Sequence, residues 1–133
     1  MKYNNIPIQL SPSSIGEDRT DGVRFLSGAE GHASFGPYCP LEPGEYFGGF
    51  VVRGVEIPAT DNALFVDLVC ENGAVSLGSR WFAGDEIHSE IPALYGIDFT
   101  VSEPVADAEL RLRFAGHGSF EVTRKLIFRR DIT

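Results

Sequence analysis

The sequence predicts an all-β protein: an antiparallel two-sheet β-sandwich of jelly-roll type with about eight or nine strands. Three observations carry that prediction. Apolar and polar residues alternate in short runs along most of the chain, which is the period of a strand with two unlike faces. No segment of useful length repeats its apolar residues at helical spacing. Turn formers separate the runs at intervals of roughly 10 to 15 residues, the rhythm of an antiparallel sandwich rather than of βαβ units. A length of 133 residues suits one domain spanning 1–133, able to bury a core without staples. Ten phenylalanines against one methionine and one tryptophan suit a two-layer β core.

Residues 1–22 are polar and read as an edge strand followed by a loop. Ile6, Ile8 and Leu10 alternate, and Pro7 confines that piece to an edge because it has no N–H for a ladder. Val23 to Leu26 is a strand closed by Gly28, and His32 to Phe35 is a short extended piece. The chain is organised around GPYCPLEPGEYFGGFVVRGVEI, residues 36–57. The turn formers Gly36-Pro37 and Pro43-Gly44 bracket an edge strand or strap and launch a central strand. Along it Tyr46, Gly48, Phe50 and Val52 face one way, and Phe47, Gly49, Val51 and Arg53 the other. Leu64, Val66, Leu68 and Cys70 then alternate with Phe65, Asp67 and Val69, and Asn72-Gly73 is a strong hairpin signal. The return strand runs through Val75 and Leu77 towards Trp81 and is broken at Ala83 to Glu86. Ile87 to Gly96 is irregular. Ile97, Phe99 and Val101 make a strand ended by Glu103-Pro104. Ala108, Leu110, Leu112 and Phe114 alternate with Glu109, Arg111 and Arg113, the cleanest strand of all. After Gly116-His117-Gly118 the last strand runs from Phe120 to Arg130, with a bulge expected where Arg124-Lys125 disturbs the alternation. The expected core is Tyr46, Phe50, Val52, Leu64, Val66, Leu68, Phe99, Val101, Leu110, Leu112, Phe114, Val122 and Phe128.

Composition narrows the function classes. Eleven Lys+Arg against nineteen Asp+Glu give a net charge of -8, which repels phosphate backbones and anionic lipid. Neither nucleic acid nor a membrane surface is an expected partner. The start, MKYNNIPIQL, has no continuous apolar stretch of a secretory leader, so a cytoplasmic location is expected. Cys39 and Cys70 are then expected to be reduced thiols.

Motifs of catalysis are missing from the sequence. His32, His88 and His117 stand far apart and form neither HxH nor HxxxH, so no metal is expected on them. No GxSxG, Walker or GxGxxG pattern occurs, and no cofactor is expected. Asp85, Glu86 and Glu90 cluster near Trp81 and His88, but a glycosidase needs two carboxyls at a set separation, and solvated loop acids are the commoner explanation. The aromatics are more informative, because sugars stack their C–H faces on such rings. Trp81 and Tyr95, with Arg80, His88 and Glu90 as hydrogen-bonding groups, form the expected ligand-binding set. Arg80 offers a planar fork suited to hydroxyls or to the carboxylate of an acidic sugar. Phe47 and Phe65 sit opposite the core residues of their strands and mark an interaction surface.

GPYCPLEPGEYFGGFVVRG resembles the "GPY-x-PL-x-PG-x-Y" segment of β-sandwich accessory domains in bacterial glycosyltransferase and polysaccharide-assembly proteins. The resemblance continues through LFVDLVCENGAVSLGSRWF and AELRLRFAGHGSFEVTRKLIFRR and spans roughly residues 30–130. It implies a jelly-roll carbohydrate-binding module, with a glycan or oligosaccharide as partner and no catalytic residues. A homodimer formed through an exposed sheet face is the competing expectation, resting on Phe47 and Phe65. A small jelly-roll glycosidase, lyase or isomerase is the third.

Overall fold

The computed structural model describes residues 5–36 and 38–130. In chain order the strands are β1 (Ile6–Pro7), β2 (Glu17–Asp18), β3 (Arg24–Ser27), β4 (Gly31–Ser34), β5 (Cys39–Leu41), β6 (Gly44–Glu56), β7 (Leu64–Cys70), β8 (Val75–Phe82), β9 (Ala93–Val101), β10 (Val105–Phe114) and β11 (Ser119–Arg129). Two single-turn 3-10 segments, Ile8–Leu10 and Gly84–Glu86, are the only helical pieces among the described residues. All strand pairs are antiparallel. The first sheet has the order β2-β3-β11-β6-β9, with β1 also on β11; the second has the order β4-β10-β7-β8, with β5 also on β10. This is a sandwich of jelly-roll type with eleven strands among the described residues, not the expected eight or nine. The short pieces make the difference: β5 lies in the expected strap, β1 keeps only Ile6–Pro7 of the expected edge strand because Ile8–Leu10 is a 3-10 turn, and β2 falls in the stretch expected to be a loop. Pro7 sits on such an edge, as its missing donor requires. The Gly36-Pro37 turn is described only at Gly36, whose φ is +48°; Pro37 lies outside the described residues.

The core lies between the sheets and follows the alternation. Tyr46, Phe50 and Val52 enter it from β6, Leu64, Val66 and Leu68 from β7, and Leu110, Leu112 and Phe114 from β10. The Tyr46 ring stacks on Phe99 at 5.4 Å, and its hydroxyl donates to the Glu42 carbonyl at 2.6 Å. Each fully buried side chain of this size stabilises by about 1.5–3 kcal/mol before entropy is counted.

One expected core residue is outside it. Phe128 is 37% exposed. Val122 pairs with Val52 but Arg124 pairs with Val51, so Thr123 is an extra residue and the strand bulges there. A one-residue bulge exchanges the faces of everything after it. Ile127 therefore enters the core in place of Phe128, and so does Lys125, which is 4% exposed. Lys125 Nζ donates to Ser34 Oγ at 3.0 Å, to Ser11 Oγ at 3.4 Å and to the Gly36 carbonyl. Burial pushes its pKa down to about 7, against the opposing pull of Glu109 and Cys39, and Arg24 adds to the fall. Arg24, also buried, donates to the carbonyls of Ala33 at 2.8 Å and Ser11 at 2.9 Å and pairs with Asp18 at 2.7 Å. Two cations rooted in the first sheet thus clamp residues 11 and 33–36, fixing the β4 edge of the second sheet.

Candidate functional site

The outer face of the second sheet carries a row of side chains set by register. Trp81 on β8 is opposite Phe65 on β7, Phe65 is opposite Arg113 on β10, and Arg113 is opposite His32 on β4. Cross-strand partners share a face, so all four point outward. The Phe65 and Trp81 rings lie 4.9 Å apart, tilted by 42°, and Trp81 is 38% exposed. The next row is Ser79, Asp67 and Arg111. Arg111 grips Asp67 with both branches of its fork, at 3.0 and 2.6 Å, which raises the arginine pKa further.

Beyond that row the face is walled. Val69 and Glu109 are buried although they point outward. The Gly36 N–H donates to Glu109 at 2.8 Å, and Tyr38 reaches Asn72 with its hydroxyl at 3.4 Å. The wall includes the turn at 71–74, a four-residue connection and not the two-residue hairpin that Asn72-Gly73 suggests. Glu71, Asn72 and Gly73 all have positive φ, which for the first two is uncommon. Asp107 holds them there by accepting the N–H groups of Glu71 and Asn72, both at 3.0 Å. The result is an outer sheet face, below called the trough, that carries two aromatic rings, an ion pair, a further arginine and an imidazole and is bordered at one end by the 71–74 turn and Tyr38.

Electrostatics along the trough is uneven. The His32 pKa is lowered, first by burial and then by Arg111 and Arg113, with Asp67 and Glu109 opposing. Arg113 meets Glu30 at 3.5 Å, with both side chains substantially exposed.

The expected ligand-binding residues are divided by the structure. Trp81 looks into the trough. Arg80, its neighbour in sequence, points to the other side of β8, where it pairs with Glu86 and lies 4.3 Å over the Phe82 ring. Tyr95 pairs with Phe50 on the inner side of β9, meets Phe82 edge-on at 5.7 Å and accepts the His88 N–H at 2.7 Å. His88 and Glu90 lie in the 83–92 loop, lining an open depression of about 400 Å³ with Ile87, Ser89 and Ile91. Phe47 and Phe65 are likewise separated. Phe47 is on the outer face of the first sheet, 5.4 Å from Phe128, and Phe65 is in the trough. Sequence reasoning passed over Arg111, Arg113 and His32 as site residues. The outward parity of Glu109, Arg111 and Arg113 is plain in the sequence, but their adjacency to Phe65 and Trp81 depends on register.

Among the described residues no group of three His, Cys, Asp or Glu side chains is placed to hold a metal ion. Cys39 and Cys70 are both buried and free, with pKa values raised mainly by burial.

No family model matches the sequence, and no curated protein does. Solved structures do match in fold. The C-terminal CBM6 of LamC, a marine laminarinase from Zobellia galactanivorans, is similar at 15% identity over 94% of this chain and 98% of that one, with a TM-score of 0.60. A carbohydrate-binding module, CBM6cm-2 from Cellvibrio mixtus lichenase 5A, solved in complex with cellotriose, is similar at 13% identity over 97% of this chain and 98% of that one, with a TM-score of 0.57. At such identities the likeness is one of fold.

Proposed function

We propose that this protein is a non-catalytic carbohydrate-binding module that holds an oligosaccharide in the trough of the second sheet, within bacterial polysaccharide or glycan metabolism. The observation that carries the reading is the Phe65–Trp81 pair on an outer sheet face, Trp81 exposed and Phe65 half-buried, beside Arg111, Asp67 and Arg113. Aromatic rings supply stacking area for the apolar face of a sugar, and fixed charged groups supply donors and acceptors for its hydroxyls. A ring pair buried for stability alone would be covered, and this one is open on one side. The fold shared with modules such as the one solved with cellotriose is in keeping with this reading. The polysaccharide setting rests on the resemblance of the 36–54 segment.

Trp81 is the sole tryptophan, so its fluorescence reports on the trough directly. Iodide should quench it, and a bound oligosaccharide should protect it. A broad panel of bacterial and plant oligosaccharides at millimolar concentration that neither protects Trp81 nor gives binding heat would overturn the proposal.

A second reading draws on a separate observation. Phe47, half-buried, and Phe128, exposed, form a ring pair on the outer face of the first sheet. Self-association through that face would give a dimer that Phe128→Ser disperses, and light scattering showing a monomer at high concentration rules it out.

A further inference from the structure

The trough is not uniform along its length, and the asymmetry bears on which sugars it takes. Neighbouring strands lie about 4.8 Å apart, so the row Trp81, Phe65, Arg113, His32 steps across four strands over about 14 Å. Its β8–β7 half is aromatic and its β10–β4 half is basic or imidazole. The two arginines on β10 face the same way, yet they are not equivalent. Arg111 is consumed by Asp67, whose side chain is almost buried and takes both branches of the fork. Arg113 is held among the described residues by one long contact, 3.5 Å to Glu30, a glutamate that is largely in solvent. An exposed pair of that kind is weak and is displaced readily. A carboxylate on a ligand that presents two oxygens in plane matches the guanidinium fork better than Glu30 does.

We propose, resting on the glycan reading above, that the trough selects an acidic oligosaccharide lying across the strands. In this arrangement one sugar carboxylate pairs with Arg113 beside His32, and the adjoining units stack on Phe65 and Trp81. Arg113 is then the specificity-determining residue and Trp81 the affinity-determining one. Bulk charge gives no help, because a chain of net charge -8 repels anions in general. Preference for a carboxylated glycan therefore reports local pairing.

Trisaccharides of galacturonate and of mannuronate, each beside its carboxyl-reduced counterpart, test this by titration calorimetry with Trp81 fluorescence as a second readout. At least one acidic form should bind about tenfold more tightly than its reduced partner, the size of one charge-assisted contact. Within Arg113→Gln the acidic and reduced forms should bind equally, with the melting temperature unchanged, and Arg113→Lys should restore part of the preference. Equal affinity for acidic and reduced forms, or a preference that survives in Arg113→Gln, overturns the acidic-sugar inference and leaves the glycan reading standing. No binding of either form overturns the acidic-sugar inference, and the glycan reading falls with it only if the broad panel also leaves Trp81 unprotected.

Discussion

The two sheets present outer faces of opposite character, although the same alternation produces both. On the first sheet the outward residues are Phe47, Gly49 and Val51 of β6, Leu126 and Phe128 of β11, and Gly96 and Leu94 of β9. Its charged groups are each tied to a partner: Arg53 meets Glu121 at 2.8 Å, Arg130 meets Asp98 at 3.3 Å, and Arg124, opposite Val51, bonds Asn5. At its centre Gly49 and Gly96 face each other, and the Phe47 ring lies over them. On the second sheet the rings of Phe65 and Trp81 adjoin arginine, aspartate and histidine, and a turn and Tyr38 wall one end. An apolar face with satisfied charges suits another apolar surface, whereas rings beside oriented donors suit a sugar. Hydrophobic exposure alone does not separate the two; the polar neighbours do.

The largest expected effect is one the faces should share. Phe50→Ala beneath the first sheet and Leu112→Ala beneath the second should each destabilise by about 2–5 kcal/mol, measured by urea unfolding. Losses under about 0.5 kcal/mol at either site would mean that its face is assigned the wrong way round.

Gly96→Ala should mark the first face. An added Cβ would lie 2.1 Å from the Gly48 carbonyl oxygen and 2.6 Å from Gly49 Cα, both backbone. The strands would have to part, at about 1–3 kcal/mol, with a lowered melting temperature. An unchanged melting temperature would show that this centre is not close-packed.

The buried cation behind the β4 edge gives a pH signature. The Lys125 pKa is about 7 in the folded state against an ordinary 10.5, so between those values the unfolded chain binds the extra proton. Stability should therefore rise with pH from 7 upward, by at most about 1.4 kcal/mol per unit. Lys125→Met should flatten the curve between pH 7 and 9. The raised thiol pKa of Cys39, about 11 against 9.0, gives the opposite slope above that range. A wild-type curve already flat between pH 7 and 9 would mean that water reaches Lys125.

The smallest effect should separate the faces by function. Trp81→Ala should weaken oligosaccharide binding about tenfold, or 1.4 kcal/mol, while Phe128→Ala leaves it intact. Calorimetry on both variants checks this, and the reverse pattern would move the site to the first sheet.

The alternation in 44–57, 64–70 and 108–114 was enough to place Tyr46, Phe50, Leu68 and Leu112 in the core, because strand parity is a local property of the chain. Proline and glycine placed most strand ends for the same reason, and Arg124-Lys125 marked the bulge. Its consequence was not legible: which residue is the extra one depends on the partner strand, and Thr123 being extra is what brings Lys125 and Ile127 inward and Phe128 out. The trough is a consequence of the same kind. Trp81 and Phe65 each stood out in the sequence as aromatics without a core role, but 16 positions apart and alongside the wrong companions. Arg80 adjoins Trp81 in the chain and is turned away from it, because neighbours on a strand face opposite sides. Arg113 is 32 positions away and shares its row. Composition and parity thus determined the fold class and, as far as the bulge in β11, the core and which residues face out. Only the pairing of β8, β7, β10 and β4 decided which outward residues meet, since register is fixed between strands and not within one.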